Sequence, residues 1–261
     1  MSIPTYIENP KTKGSGIYAC IPQIGICPSK CPDCFFQSGR SYLEPLAEHL
    51  PNIPSKRLCE NRVVRVNDGN DSYFLSPVEI AHIIQTFPMC FFNTSVPKDL
   101  WKYQGENQAG HFVHIPYVLT VNPGIDTDKK FTKLDGKNLS LMFVRFRTNT
   151  WNLSLAKECV KYYSEREIPI ILTFMAYFTE LEAIPEDHLK NYVYRKRTSN
   201  EYYAITTEAW RNVMKNFEDN KWVHSCGKIE GEKGDTRCRF CGNCLREYFS
   251  AKERMTQWNQ E

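Results

Sequence analysis

Short runs rich in apolar, β-branched and aromatic residues recur at residues 16–23, 62–67, 88–94, 115–122, 139–147 and 168–176, with helical patterns between several of them. Two parallel strands need a long crossover between them, and a helix is the usual way to make one. The alternation therefore predicts an α/β fold built on six parallel strands. A chain of 261 residues with 41% hydrophobic content is long enough to bury such a core. The clearest helix follows the second strand. Ser76 is a good N-cap, Pro77 suits the first helical position, and Val78, Ile80, Ile83, Ile84 and Phe87 follow helical spacing. A second helix is expected over residues 153–165, with Leu153, Ala156, Val160 and Tyr163 as its stripe before Pro169 opens the sixth strand. A third is expected over residues 206–217. Between the third and fourth strands, and between Pro185 and Tyr203, polar and aromatic residues mix without a readable period.

Eleven cysteines are a high and odd number for such a chain. The first residues lack the apolar stretch of a secretory signal, and the strongest apolar run, residues 168–178, is too short to span a bilayer. Both point to a cytoplasmic protein with no membrane partner. In a reducing compartment so many cysteines imply metal or redox chemistry rather than disulfides, and the sequons at Asn93, Asn138 and Asn152 are discounted. Cys20, Cys59, Cys90 and Cys159 are scattered in apolar or strand-like segments and are expected to be small core residues. A net charge of +3, from 33 basic and 30 acidic residues, makes no global case for nucleic acid. The local run Arg195-Lys196-Arg197 leaves that partner open, although a solvated loop is the plainer explanation.

The remaining cysteines form two sets. Cys27, Cys31 and Cys34 stand at spacings of four and three on the loop directly after the first strand. Three thiolates leave one iron of a four-iron cubane open to a small chelating ligand, and zinc with a distant fourth partner is the alternative. This C-x3-C-x2-C triplet after strand one of a βα series resembles the radical SAM superfamily, over about residues 16–176 by topology. The resemblance implies a partial (β/α)6 barrel in which Cys27, Cys31 and Cys34 hold a 4Fe-4S cluster. It also implies that S-adenosylmethionine is cleaved there to a 5′-deoxyadenosyl radical, with electrons from a donor such as flavodoxin or ferredoxin. The family usually has an aromatic residue just before the third cysteine; Asp33 stands there instead, and Phe35, followed by Phe36, becomes the aromatic candidate beside the cofactor.

The family also holds the cofactor's amino group at a glycine-rich turn after strand two. Here Asn67, Asp68, Gly69, Asn70, Asp71 and Ser72 occupy that place, without the familiar glycine pair and glutamate. Carbonyls freed by a turn at Gly69 and the carboxylates of Asp68 or Asp71 are suited to accept ammonium hydrogens, while an ordinary Asn-Asp-Gly turn is the alternative. Sites in parallel barrels collect at the carboxyl ends of strands. Asn122 is therefore a candidate for ribose hydroxyls, Arg145 or Arg147 for the methionine carboxylate, and Thr173, Met175 and Tyr177 for the adenine. Arg145 and Arg147 share a strand face by parity, and a solvent-facing or helix-covered pair is the alternative.

After Trp222 the composition turns to cysteine, glycine and charge, which predicts a small cysteine-rich metal module over residues 222–261 beside a barrel of residues 1–221. Its tail has a helical pattern over residues 245–258. Cys226, Cys238, Cys241 and Cys244 supply enough thiolates to close either a zinc site or a second 4Fe-4S cluster, and spacing does not separate the two. Iron is favoured, because the first triplet already calls for cluster loading; His224 stands beside the set. The expected function is a radical SAM enzyme acting on a peptide or protein. The C-terminal cysteines resemble the extensions of peptide-modifying relatives, and aromatic segments at Trp101 to Tyr103 and Tyr202 to Tyr203 offer groove walls. The competing classes are a zinc module that binds nucleic acid through residues 192–197, a radical enzyme acting on a nucleoside or RNA base, and an electron-transfer ferredoxin.

Overall fold

The computed structural model describes residues 6–31, 34, 43, 50–106, 112–125, 130–135, 138–178, 181–196, 201–230 and 235–258. Seven strands form one sheet in chain order: β1 (Ile17–Cys20), β2 (Val63–Val66), β3 (Cys90–Thr94), β4 (Tyr117–Thr120), β5 (Leu141–Thr148), β6 (Ile170–Phe174) and β7 (Val223–Ser225). Every neighbouring pair is parallel, and the sheet curls into a half-barrel. The six expected strands all form. The seventh comes from residues assigned to a separate metal module, so this region does not stand apart from the sheet.

The helices are α1 (Pro77–Thr86), α2 (Leu153–Ser164), α3 (Thr207–Met214), the single turn α4 (Cys238–Cys241) and α5 (Asn243–Trp258). At the start of α1 the Ser76 hydroxyl accepts from Glu79 N at 3.3 Å, and the Glu79 carboxylate accepts from Ser76 N at 2.7 Å. Ser76→Ala is expected to lower stability by about 1 kcal/mol in urea denaturation, because this cap is the reciprocal kind. Ile80 and Ile83 are buried as expected, but Val78 is 78% exposed. At about 100° per residue Val78 lies on the far side of the helix from Ile80, so a helix resting on one sheet leaves it in solvent. Helix α2 buries Ala156, Cys159, Val160 and Tyr163. Thr206 caps α3 through Ala209 N.

Alternation along the strands divides the core. One face sends Val64, Phe92, Leu119, Val144 and Leu172 against the buried residues of α1, α2 and α3. The opposite, inner face sends Ile17, Val63, Phe91, Val118 and Ile171 against Tyr248, Ala251 and Met255 of α5. Cys20, Cys59, Cys90 and Cys159 are all buried, in keeping with their expected core role. The unreadable stretch before Tyr203 holds an antiparallel hairpin, Tyr192–Lys196 with Glu201–Ile205. Lys196 of the basic run pairs with Glu201 at 3.1 Å, while Arg197 lies outside the described residues. Among the described residues no helix is long and apolar enough to cross a membrane.

Candidate functional site

The chain leaves β1 at the carboxyl edge of the half-barrel and enters the loop that carries Cys27, Cys31 and Cys34. Gly25 (φ 82°) and Lys30 (φ 43°) adopt left-handed backbone, and Cys34 N donates to Cys31 O at 3.1 Å. These turns fold the loop back on itself and make its thiols neighbours. Burial raises the pKa of Cys27, opposed by the Ser29 backbone N–H and reinforced by Asp71 and Cys34. Burial and Cys34 raise the pKa of Cys31, while the Ser95 hydroxyl and the Arg147 guanidinium favour its thiolate. Three soft sulfur donors next to a cation and a hydroxyl suit an anionic iron–sulfur or zinc centre. Phe35 lies outside the described residues, as do Asp33 and Phe36.

Asp71 is the hub behind this loop. Its Oδ1 accepts from Tyr73 N (2.9 Å) and Thr94 Oγ1 (2.7 Å), and its Oδ2 accepts from Ser95 N (2.8 Å) and Ser95 Oγ (2.6 Å). A carboxylate has about four lone-pair directions, and protein donors take all of them. Asp71 therefore ties the turn after β2 to the end of β3 instead of presenting an open acceptor for an ammonium group. Asp68 is also engaged: its Oδ2 meets Arg65 Nη2 at 2.5 Å and accepts from Asn9 Nδ2. The left-handed residue of this turn is Asn67 (φ 62°), whereas Gly69 has no positive φ. Asn67 Nδ2 donates to the buried Ser72 Oγ at 2.9 Å, which leaves Asn67 Oδ1 buried with no partner among the described residues.

Two further acceptors share that condition, Thr173 Oγ1 on β6 and Gln23 Oε1 after β1. Each orphaned polar atom costs about 1–3 kcal/mol, and Ser29 Oγ in the cysteine loop is in the same condition. Gln23 was not expected as a site residue; its only sequence signal is its place just past the first strand.

Asn122 is fully buried and spends its side chain on the backbone of β5, donating to Arg147 O and accepting from Arg147 N, both at 2.7 Å. It extends the β4–β5 ladder by a side-chain rung, and this engagement takes it away from a ribose role. Arg147 Nε reaches Met175 Sδ at 3.2 Å, and Nη1 donates to the Pro123 carbonyl. Arg145 Nη2 donates to Asn93 Oδ1 at 3.3 Å, and Asn93 Nδ2 donates to Val66 O at 3.0 Å. Although the two arginines share a face by parity, their surroundings differ: Arg147 neighbours Cys31, and Arg145 neighbours Cys244. Asn93, discounted as a sequon, turns out to be the buried link between β2 and β5.

Cys226 follows β7 and donates its N–H to Leu172 O at 2.7 Å; Cys238 and Cys241 lie on α4, and Cys244 opens α5. His224 sits on β7, its pKa lowered by burial and by Arg246. Of the aromatic segments expected to wall a groove, Tyr103 and Tyr202 are buried in the core while Trp101 is exposed. Among the described residues no group of three or more His, Cys, Asp or Glu side chains is placed to hold a metal ion. Compared with models of known protein families, with curated proteins and with solved structures, the chain matches none.

Proposed function

We propose that the chain is a radical SAM enzyme that holds a 4Fe-4S cluster through Cys27, Cys31 and Cys34 and cleaves S-adenosylmethionine. The observation that carries this reading is the three-thiol loop leaving β1 at the carboxyl edge of a parallel half-barrel, with the Arg147 guanidinium near Cys31. Held by Cys27, Cys31 and Cys34, a cluster would supply the one-electron reduction that splits S-adenosylmethionine into methionine and a 5′-deoxyadenosyl radical able to take hydrogen from a substrate.

The protein's own groups bind and orient. Arg147, held by Met175 Sδ and the Pro123 carbonyl, offsets the negative charge of the thiolates and of a carboxylate bound beside them. Asn67 Oδ1 is an acceptor for an ammonium hydrogen, and Thr173 Oγ1 suits a sugar hydroxyl or ring nitrogen. Asp71 and Asn122 act one step back, holding the loop and strand that carry those groups. A single-electron donor such as flavodoxin or ferredoxin completes the system. The substrate in this proposal is a peptide or protein side chain, for which the exposed Tyr194 and Val193 of the hairpin after β6 offer contact surface.

The test is anaerobic reconstitution with iron and sulfide, followed by dithionite and S-adenosylmethionine. Brown, sulfide-containing protein that releases 5′-deoxyadenosine is expected, and fully loaded protein that releases none sinks the proposal. Arg147→Ala is expected to weaken cofactor binding about tenfold, or ~1.4 kcal/mol, in equilibrium dialysis without bleaching the cluster. Arg147→Lys should recover only part of that loss, because an ammonium keeps the charge but not the planar donors that hold the side chain on Met175 and Pro123. Unchanged affinity in the alanine variant removes Arg147 from the cofactor site.

A further inference from the structure

The C-terminal cysteines are gathered by backbone geometry alone. In the hairpin of Lys228–Glu230 with Asp235–Arg237, Lys228 pairs with Arg237, so continuing the register sets Gly227 opposite Cys238 and leaves Cys226 one residue beyond it. Cys238 and Cys241 lie three apart on the single turn α4, a spacing that puts both on one side. Gly242 (φ 65°) ends that turn in left-handed backbone, and a Cβ there would meet nothing within 4 Å. The chain then reverses into α5 and brings Cys244 back towards the others. Asn243 Nδ2 donates to Ser225 O at 2.7 Å, which pins the reversal one residue before Cys226. Cys226 and Cys244 pack against the inner face of the sheet. Burial, and then the Cys226 thiol, raise Cys238 to about 12, with Cys244 and Cys241 also adding to the shift.

A second observation comes from β2. Arg65 is 8% exposed; Nη2 is taken by Asp68, and Nε is buried without a partner among the described residues. Arg65 lies two residues from Val63 on β2 and so shares its inner strand face, the face against which Cys226 and Cys244 pack. A buried guanidinium with an unspent N–H next to two of the four cysteines needs an acceptor, and sulfur carrying negative charge is one.

We propose that Cys226, Cys238, Cys241 and Cys244 close a tetrathiolate metal site against the inner face of the half-barrel, and that Arg65 is its buried hydrogen-bond donor and counter-charge. Without metal the four are neutral thiols and are not yet placed as a metal-holding group among the described residues, so the metal, on displacing their protons, supplies the energy that closes the set. A divalent cation held by four thiolates carries two net negative charges, which an apolar face tolerates only beside compensating cations. Arg65 and, near Cys244, Arg145 provide them. With all positions filled by sulfur the site stabilises structure or passes electrons and does not bind substrate. Zinc and an iron–sulfur cluster share this donor chemistry. The inference does not depend on the chemistry proposed for Cys27, Cys31 and Cys34.

The experiment uses the full chain with Cys27, Cys31 and Cys34 all replaced by alanine, so that only the C-terminal set remains. About one zinc per chain without sulfide, or about four iron with matching sulfide, is expected, and either supports the site while deciding its metal. Cobalt(II) offered to the zinc-stripped protein should give the spectrum of tetrahedral thiolate ligation. If the triple variant does not fold, metal is counted in the otherwise unchanged chain with and without Cys241→Ala, and one site's worth of metal should vanish. Arg65→Gln is expected to lower metal affinity roughly 10–100-fold in competition with a chromophoric chelator and to shift the thiolate charge-transfer band, with Arg65→Lys recovering part of both. A folded triple variant that takes up no metal, or equal metal with and without Cys241, overturns the site. Unchanged affinity and spectrum in Arg65→Gln overturn the arginine's role. Absence of 5′-deoxyadenosine from protein whose C-terminal site is loaded counts against the proposed function alone.

Discussion

Cys31→Ala is expected to abolish 5′-deoxyadenosine formation, by at least about a hundredfold, while the protein stays folded. Removing a residue that merely supports a metal ligand already costs about 10–100-fold in affinity or activity, and Cys31 is proposed as a ligand itself. It is the most informative of the three because its side chain is only partly buried, so truncation opens no sealed cavity. Cys27 is buried, and its replacement mixes packing with ligation. Stability should change by less than about 1 kcal/mol in Cys31→Ala. Cys31→Ser should fail as well, since a hydroxyl is a harder and less acidic donor than a thiol. Iron content, sulfide and product are measured on one preparation alongside a thermal melt. Turnover that survives in a folded Cys31→Ala protein ends the assignment of this loop.

Asp71→Ala is expected to destabilise the fold by about 3 kcal/mol in urea denaturation. The carboxylate is buried and receives four donors from two chain segments, and truncation leaves the N–H groups of Tyr73 and Ser95 and the hydroxyls of Thr94 and Ser95 without it. A hydrogen bond to a charged group contributes about 1.5–3 kcal/mol, and the four act on one carboxylate, so their losses do not simply add. Asp71→Asn should lie between wild type and alanine, because the amide keeps the shape but turns its NH2 group towards donors. Cluster loading should fall in parallel, since Asp71 ties the turn after β2 to Thr94 and Ser95 at the end of β3, the segment that stands beside Cys31. A loss below about 1 kcal/mol would show that the carboxylate is not the tie described here.

The strands could be read because their signal is local. Runs such as Leu141 to Phe146, buried on both faces, announce a central parallel strand without reference to anything distant. Strand β7 was missed for the opposite reason: Val223–Ser225 has one apolar residue, stands against cysteine and glycine, and is a strand only because β6 offers it an edge. The hairpin after β6 hid in the same way, with Val193 and Tyr194 both exposed and no alternation to find. At the site, the cysteines were legible as chemistry, but the duties of the polar residues were not. Asp71 draws Thr94 and Ser95 from 23 and 24 residues away, and Asn122 draws on Arg147 from 25 away. Such partnerships depend on strand register, which residue identity does not reveal. Parity correctly paired Arg145 with Arg147, yet two residues along a strand were enough to give them different neighbours.

Helix α5 makes the order of synthesis matter. The inner apolar wall of Ile17, Val63, Phe91, Val118 and Ile171 is assembled from strands translated early, but the side chains that cover it, Tyr248, Ala251 and Met255, are translated after all seven strands. A nascent chain therefore carries an uncovered greasy trough on the ribosome until α5 emerges, and contacts of such long sequence separation form slowly. Ribosome-stalled chains stopped near residue 222 should be held by chaperones or aggregate, whereas the full chain stalled on an added C-terminal linker long enough to bring residue 258 out of the ribosome should resist protease.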